Sequence, residues 1–186
     1  MRVIAGTAKG TPLKAVPGMS TRPTTDKVKE AVFSMIGPYF DGGQALDLFA
    51  GTGGLGIEAL SRGIDKAVFI DIEAKSVEVI RANLKASRVE SRAEVYRNEA
   101  GRALKILARR GAQFDLVFLD PPYRMTIVGE LLTALQEQQL LSERAVLVVE
   151  QAAETELESQ IGGLVCRKRA EYGEIAIWIY EWGNQE

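Results

Sequence analysis

The stretch Leu46-Asp47-Leu48-Phe49-Ala50-Gly51-Thr52-Gly53-Gly54-Leu55-Gly56 decides the fold. Ala45–Phe49 is apolar apart from Asp47 and stops at a cluster of glycines. Gly54–Arg62 then has helical spacing and ends at Gly63. A strand therefore turns sharply into a helix, and the glycines let the backbone turn and approach a ligand with no Cβ in the way. Gly51, Gly53 and Gly56 satisfy G-x-G-x-x-G, and Asp71 stands 20 residues after Gly51, so the stretch also fits the dinucleotide fingerprint.

Downstream the same alternation repeats. Ala67–Ile70 reads as a strand ending at Asp71, and Glu73–Ser87 as a helix with Val77, Ile80 and Leu84 on one face. Ala93–Arg97 and Phe114–Leu119 read as strands, with a helix over Ala100–Arg110 between them. A helix over Ile127–Gln138 and a fifth strand over Ala145–Val149 follow. Strands and helices in strict alternation imply a parallel sheet covered on both faces, wound by right-handed crossovers. Leu164–Arg169 and Glu174–Trp182 leave no room for a helix between them, so the sheet should finish in an antiparallel hairpin. The expected fold is a three-layer, Rossmann-like α/β sandwich on a mostly parallel seven-stranded sheet. Upstream of Gln44, Arg2–Ala5 and Leu13–Val16 can pair as a small hairpin. Thr24 or Thr25 can cap a helix with Val28, Ala31, Val32 and Met35 on its face. The expected organisation is thus a substrate-binding extension over residues 1–43 and a catalytic domain over 44–186.

Composition narrows the chemistry. The chain of 186 residues has no histidine and one cysteine, Cys166. Ser-His-Asp and Cys-His nucleophile schemes, internal disulfides and histidine-based zinc sites are excluded. No metal is expected. No apolar run approaches the ~20 residues of a membrane span, and the start lacks the apolar stretch of a signal peptide, so a cytoplasmic protein is expected, without membrane contact. The net charge is −2, whereas nucleic-acid-binding domains are usually basic. The charge is unevenly spread: residues 1–30 carry six basic side chains against two acidic, a local net of +4, and the remainder carries −6. Arg167-Lys168-Arg169 forms a second positive spot.

Four sets of residues carry candidate chemistry. Asp47, inside the first strand, can meet the cationic methionine end of S-adenosylmethionine, whereas the pyrophosphate of a dinucleotide would gain nothing from a carboxylate. Asp71, at the end of the second strand, can accept from both ribose hydroxyls, with Ile72 on the adenine face. Both rival cofactors contain a ribose, so these residues do not choose between them. Glu99 and Ala100 follow the third strand, where a polar group can accept from an adenine amine; Glu99 is equally an ordinary helix-starting acid. The most specific set is Asp120-Pro121-Pro122-Tyr123, after the fourth strand. The lone pair of an amine on a base is delocalised into the ring. Two acceptors aimed at its hydrogens, the Asp120 carboxylate and the Pro121 carbonyl, would pull the nitrogen toward tetrahedral geometry. The two prolines hold them rigidly, and Tyr123 offers a face for the base. In a doubly wound sheet the first and fourth strands are neighbours at the switch point, so the glycine loop and Asp120 should meet there. A planar NH₂ acceptor leaves adenine N6 and a protein glutamine amide open. A nicotinamide oxidoreductase and a non-catalytic nucleoside-binding module are the readings from other classes.

Leu46–Gly56, Asp120–Tyr123 and the run Thr21-Arg22-Pro23-Thr24-Thr25-Asp26-Lys27-Val28-Lys29-Glu30-Ala31-Val32-Phe33 together resemble the bacterial 16S ribosomal RNA guanine-N2 methyltransferases of the RsmD type. Arg2–Gly6 followed by Lys9-Gly10 also fits, and the resemblance spans essentially the whole chain. It implies a class I methyltransferase fold, S-adenosylmethionine as cofactor held by Asp47, Phe49, Gly51, Gly53, Gly56, Asp71, Ile72, Glu99 and Ala100, and a guanine N2 of 16S rRNA as acceptor. It implies that Arg22, Thr24, Thr25 and Lys27 lie near the cofactor and the RNA. The family pattern has Asp where this chain has Glu99. The partner it implies is 16S rRNA or a partly assembled small subunit, met by a monomer.

Overall fold

The computed structural model describes residues 1–18, 24–122 and 126–183. Five strands alternate with helices: β1 (Gln44–Leu48), β2 (Lys66–Asp71), β3 (Ala93–Arg97), β4 (Phe114–Leu119) and β5 (Leu141–Ala152). The helices are α1 (Asp26–Ile36), α2 (Gly54–Ser61), α3 (Ala74–Ala86), α4 (Ala100–Arg109) and α5 (Val128–Glu137). Strands β6 (Gln160–Ile161), β7 (Leu164–Tyr172) and β8 (Ile175–Trp182) close the chain. All eight strands form one sheet in the order β3-β2-β1-β4-β5-β8-β7-β6. β1 to β5 are parallel, and β8, β7 and β6 run antiparallel to their neighbours.

Burial explains the layering. Along β1, Leu46 and Leu48 face one side with α4 and α5, joining Leu104, Leu107, Leu132 and Leu135 in one apolar cluster. Ala45 faces the other side, where Phe69 and Phe118 pack with Ile57 of α2, Ile80 of α3 and Phe33 of α1. Two faces covered at period 2 make the strands near-continuous apolar runs, as a sheet buried on both sides requires.

Four details differ from the sequence expectation. First, the sheet has an eighth strand, the two-residue β6, on its outer edge. Second, β5 begins at Leu141, because a register shift opposite Phe114 accommodates the polar Ser142-Glu143-Arg144, with Arg144 at φ +63°. Third, the N-terminal hairpin is shorter and sits earlier than expected: Arg2 bridges Pro12, and backbone bonds run from Val3 N to the Thr11 carbonyl, Gly10 N to the Val3 carbonyl and Leu13 N to the Met1 carbonyl. Fourth, the buried face of α1 centres on Val28, Lys29, Val32 and Phe33, with Met35 partly buried against the same cluster and Ala31 at its margin.

The last two have one cause. Residues Val3, Ala8 and Leu13 share the apolar cluster of α1, α2 and α3, so the N-terminal segment packs on the sheet layer itself. The anchor is Glu58 of α2, fully buried. It accepts from Ile4 N (2.9 Å) and Ala5 N (3.1 Å) and pairs with Lys29 Nζ (3.3 Å) and Arg62 Nε (2.8 Å). Lys29 Nζ also donates to the Arg2 carbonyl. A lysine on an apparently polar face is thus turned inward by a carboxylate that sequence periodicity cannot see.

Candidate active site at the carboxyl edge of the sheet

β1 pairs with β2 on one side and β4 on the other, with Leu48 opposite both Ile70 and Leu119. The chain order reverses across this point, so the loops after β1, β2 and β4 open at one crevice, where open α/β sheets take ligands.

The glycine loop is built by specific bonds. Asp47 is 3 % exposed, and its Oδ2 accepts from Gly56 N at 3.0 Å. A Cβ on Gly56 would stand 2.4 Å from the Phe69 ring, so this glycine lets α2 pack closely on β2. Gly51 is the position that faces outward: it has φ +58°, and a Cβ there would meet nothing within 4 Å. Phe49 also takes a positive φ, +57°, a conformation that costs a non-glycine residue about 1–2 kcal/mol. Such strain at the corner between strand and loop is typical of functional sites.

Asp71 ties the loop to the neighbouring strand. Its Oδ2 accepts from Gly51 N (2.8 Å) and its Oδ1 from Glu73 N (2.9 Å). Each oxygen retains a second acceptor lone pair. Ile72 beside it is 55 % exposed, an apolar side chain presented to solvent at the crevice. Glu99 caps α4, accepting from Gly101 N (2.9 Å) and Arg102 N (3.0 Å), and these bonds hold its carboxyl below the usual range. Ala100 behind it is buried.

Asp120 and Pro121 follow β4; Asp120 is half-buried, Pro121 buried and Pro122 exposed. Tyr123 lies outside the described residues, as does Arg22. Thr25 is the N-cap of α1, accepting from Val28 N at 3.2 Å, and Lys27 is exposed on that helix. Thr24 faces inward: its Oγ1 donates to Glu150 Oε2 at 2.9 Å. Glu150, on β5, hydrogen-bonds Asp120. The sequence reading missed this residue. The available signal was an acid inside the apolar run Val146-Leu147-Val148-Val149-Glu150, one strand over from Asp120.

Two buried acids, Asp47 and Glu150, and the half-buried Asp120 therefore lie together toward the carboxyl ends of three neighbouring strands. Burial pushes the Asp47 carboxyl well above the ordinary carboxylate range; the Gly56 N–H opposes this and the charge of Asp71 adds to it. Burial likewise raises Asp120, reinforced by the charge and hydrogen bond of Glu150 and by the charge of Asp47. Burial raises Glu150, while the bonds from Thr24 and Asp120 pull it down. Each shift favours the protonated acid, and acids perturbed by burial and by one another in a cleft mark a candidate functional site. The second basic spot behaves differently. Arg167 pairs with Glu181 and donates to the Met35 carbonyl, and Arg169 pairs with Glu171 and stacks on Trp178, so two of its three charges are matched within the fold.

This sheet order and this crevice define a Rossmann-like α/β protein of the methyltransferase class. The chain belongs to the family described as conserved hypothetical protein 95, whose model matches residues 1–181. It is 51% identical to the Bacillus subtilis protein YlbH, named as a candidate rRNA methyltransferase, over 97% of this chain and 98% of that one. It is 30% identical to the Escherichia coli ribosomal RNA small subunit methyltransferase D, over 97% and 89% of the two chains. The solved structure of the Escherichia coli protein yhhF, described as a candidate methyltransferase, superposes with a TM-score of 0.84 at 31% identity, covering 100% of this chain and 99% of that one. The resemblance read from the sequence motifs stands. Among the described residues, no helix is long and apolar enough to cross a membrane.

Proposed function

We propose that this chain is an S-adenosylmethionine-dependent methyltransferase that methylates the exocyclic N2 of a guanine in 16S ribosomal RNA, within a cytoplasmic small-subunit assembly particle. The observation that carries the reading is adjacency. The loop after β1 and Asp120 after β4 are 72 residues apart in sequence, from Leu48 to Asp120, yet leave the sheet side by side. The names of the relatives support ribosomal RNA as substrate.

The residues fit the cofactor. Asp47 is a buried acid suited to a cationic amino-acid end, Gly51 leaves open space before the loop, Asp71 has spare lone pairs for ribose hydroxyls, and Ile72 offers an apolar face for adenine. When bound, the cofactor supplies an electrophilic methyl group on a sulfonium. The protein positions the acceptor. Asp120 and the Pro121 carbonyl accept from the two N2 hydrogens and localise the nitrogen lone pair. With that methyl group supplied, the nitrogen would take it as the sulfur leaves, and Asp120 or water would receive the surplus proton. Most of the rate gain then comes from orientation.

The test is transfer of labelled methyl from S-adenosylmethionine to small ribosomal subunits from cells lacking this protein, followed by nucleoside analysis. N2-methylguanosine is the expected product. Label on adenine N6 or on a protein glutamine would move the substrate and keep the reaction; no transfer to subunits, naked RNA or protein would overturn both.

A further inference from the structure

Glu150 has no part in the reading above, and its surroundings give it one. It lies at 5 % exposure on β5, after the apolar run Ala145–Val149 and beside the buried Gln151. The register Leu119 opposite Val149 brings the next residues, Asp120 and Glu150, alongside each other. The Glu150 carboxyl hydrogen-bonds Asp120, and its Oε2 takes the Thr24 hydroxyl at 2.9 Å. An acid this buried is not kept for solvation, and no cation pairs with it among the described residues; its partners are another acid and a hydroxyl from the N-terminal segment.

We propose that Glu150 is a positioning residue for Asp120: it holds the acceptor carboxyl from the neighbouring strand, and the Thr24 hydroxyl binds its Oε2, coupling the N-terminal segment to the group that receives the amine. This rests on the methyltransferase reading for its catalytic consequence, but the coupling itself is a property of the folded chain. Two carboxyls in contact cannot both be charged in a buried site, so the pair keeps a proton until the amine arrives. The incoming N–H needs a charged oxygen on Asp120, and Glu150 can take the proton that Asp120 gives up. The charged groups facing Asp120 are Glu150 from β5 and Asp47 from β1, with Asp71 of β2 acting on Asp47. A methylated amine that later loses its proton to Asp120 leaves the pair with one more proton, which returns to water.

Glu150→Gln keeps the shape and removes one titrating group; Thr24→Val removes the hydroxyl. With Glu150 neutral, Asp120 loses the neighbour that raised it. The acidic limb of the kcat profile should therefore move down by about one pH unit. The plateau should fall about tenfold or more while cofactor affinity stays within about twofold. Thr24→Val should lower kcat in the parent and have little further effect in the Glu150→Gln background, since the two act through one contact. An unmoved acidic limb with additive effects of the two substitutions would overturn the proposal. Carboxyl-carbon NMR of aspartate-labelled protein, with Asp120→Asn to assign the signal, reads the coupling without any turnover. A downward shift of the Asp120 midpoint in Glu150→Gln supports it, and an unchanged midpoint overturns it. A parent that transfers no methyl but shows the NMR shift would sink the methyltransferase reading and leave the coupling standing.

Discussion

At the residue scale, the buried acids govern behaviour. The form of Asp120 that accepts from an amine is its anion, and its protonated form persists to higher pH than in an ordinary carboxylate. Methyl transfer should therefore rise with pH above about 4, where a free aspartate is already ionised. A rate that is flat from mildly acidic to alkaline pH would contradict this. Asp120→Ala should reduce transfer at least about a hundredfold and leave cofactor affinity nearly intact, because the proposed mechanism assigns Asp120 to the acceptor and not to the methyl donor; normal turnover in that variant would remove Asp120 from the mechanism. Asp47 carries the opposite signature. Its folded-state value is raised, so the folded chain binds the proton more tightly than the unfolded one. Its stabilising contribution is full below the unfolded value and is lost as pH rises through the folded one. Asp47→Asn keeps an acceptor for Gly56 N and removes the charging penalty. At pH 8 it should gain about 1 kcal/mol, or about 2–4 °C in melting temperature, while weakening cofactor binding about tenfold or more. An unchanged melting temperature would show that burying this acid does not burden the fold.

At the element scale, α2 is the hinge between sequence and site. Its glycine at position 56 lets the helix lie against Phe69, and a methyl there would overlap the ring at 2.4 Å. Gly56→Ala should destabilise by about 1–3 kcal/mol, the usual range for overpacking, and displace the donor that Asp47 uses. A melting curve identical to the parent's would mean that Phe69 has room to move. On its other flank α2 presents Glu58 to Lys29, Arg62 and two backbone amides of the N-terminal segment. Glu58→Ala leaves two buried cations without their acid and should cost about 3–5 kcal/mol. Loss of that anchor should also expose the segment 1–18 to protease before the sheet; simultaneous cleavage throughout the chain would argue that the segment has no separate anchor.

At the scale of the whole molecule, the charge balance becomes intelligible. The net −2 hides a basic N-terminal segment, but not all of that charge is free for a nucleic acid. Lys29 is buried with Glu58 and Arg2 lies 3.9 Å from Asp26, whereas Lys9, Lys14 and Lys27 are exposed. Charge reversal at Lys27, combined with Arg22→Glu, should weaken binding to small subunits and flatten its salt dependence while leaving cofactor affinity alone. Equal retention of RNA by variant and parent would refute a role for this region.

The alternation of strand and helix from Gln44 onward was legible because each element buries an apolar face at its own period, and that pattern is local. The glycine loop, Asp71 and the Asp120-Pro121-Pro122 run were legible because turns and fixed φ angles are written in residue type. The positions of β1 and β4 as neighbours also followed from the handedness of the crossovers. What the tertiary structure alone decided concerns partners distant in sequence. Lys29 turned from a surface position into the core because Glu58 lies opposite it. Gly56 proved to be a packing glycine because Phe69 sits against it. Thr24 faced a buried acid rather than solvent, and Glu150 met a second acid one strand away. Periodicity reports which face of an element is buried; it holds no record of which side chain from another element waits there, and for charged groups that partner sets both position and protonation.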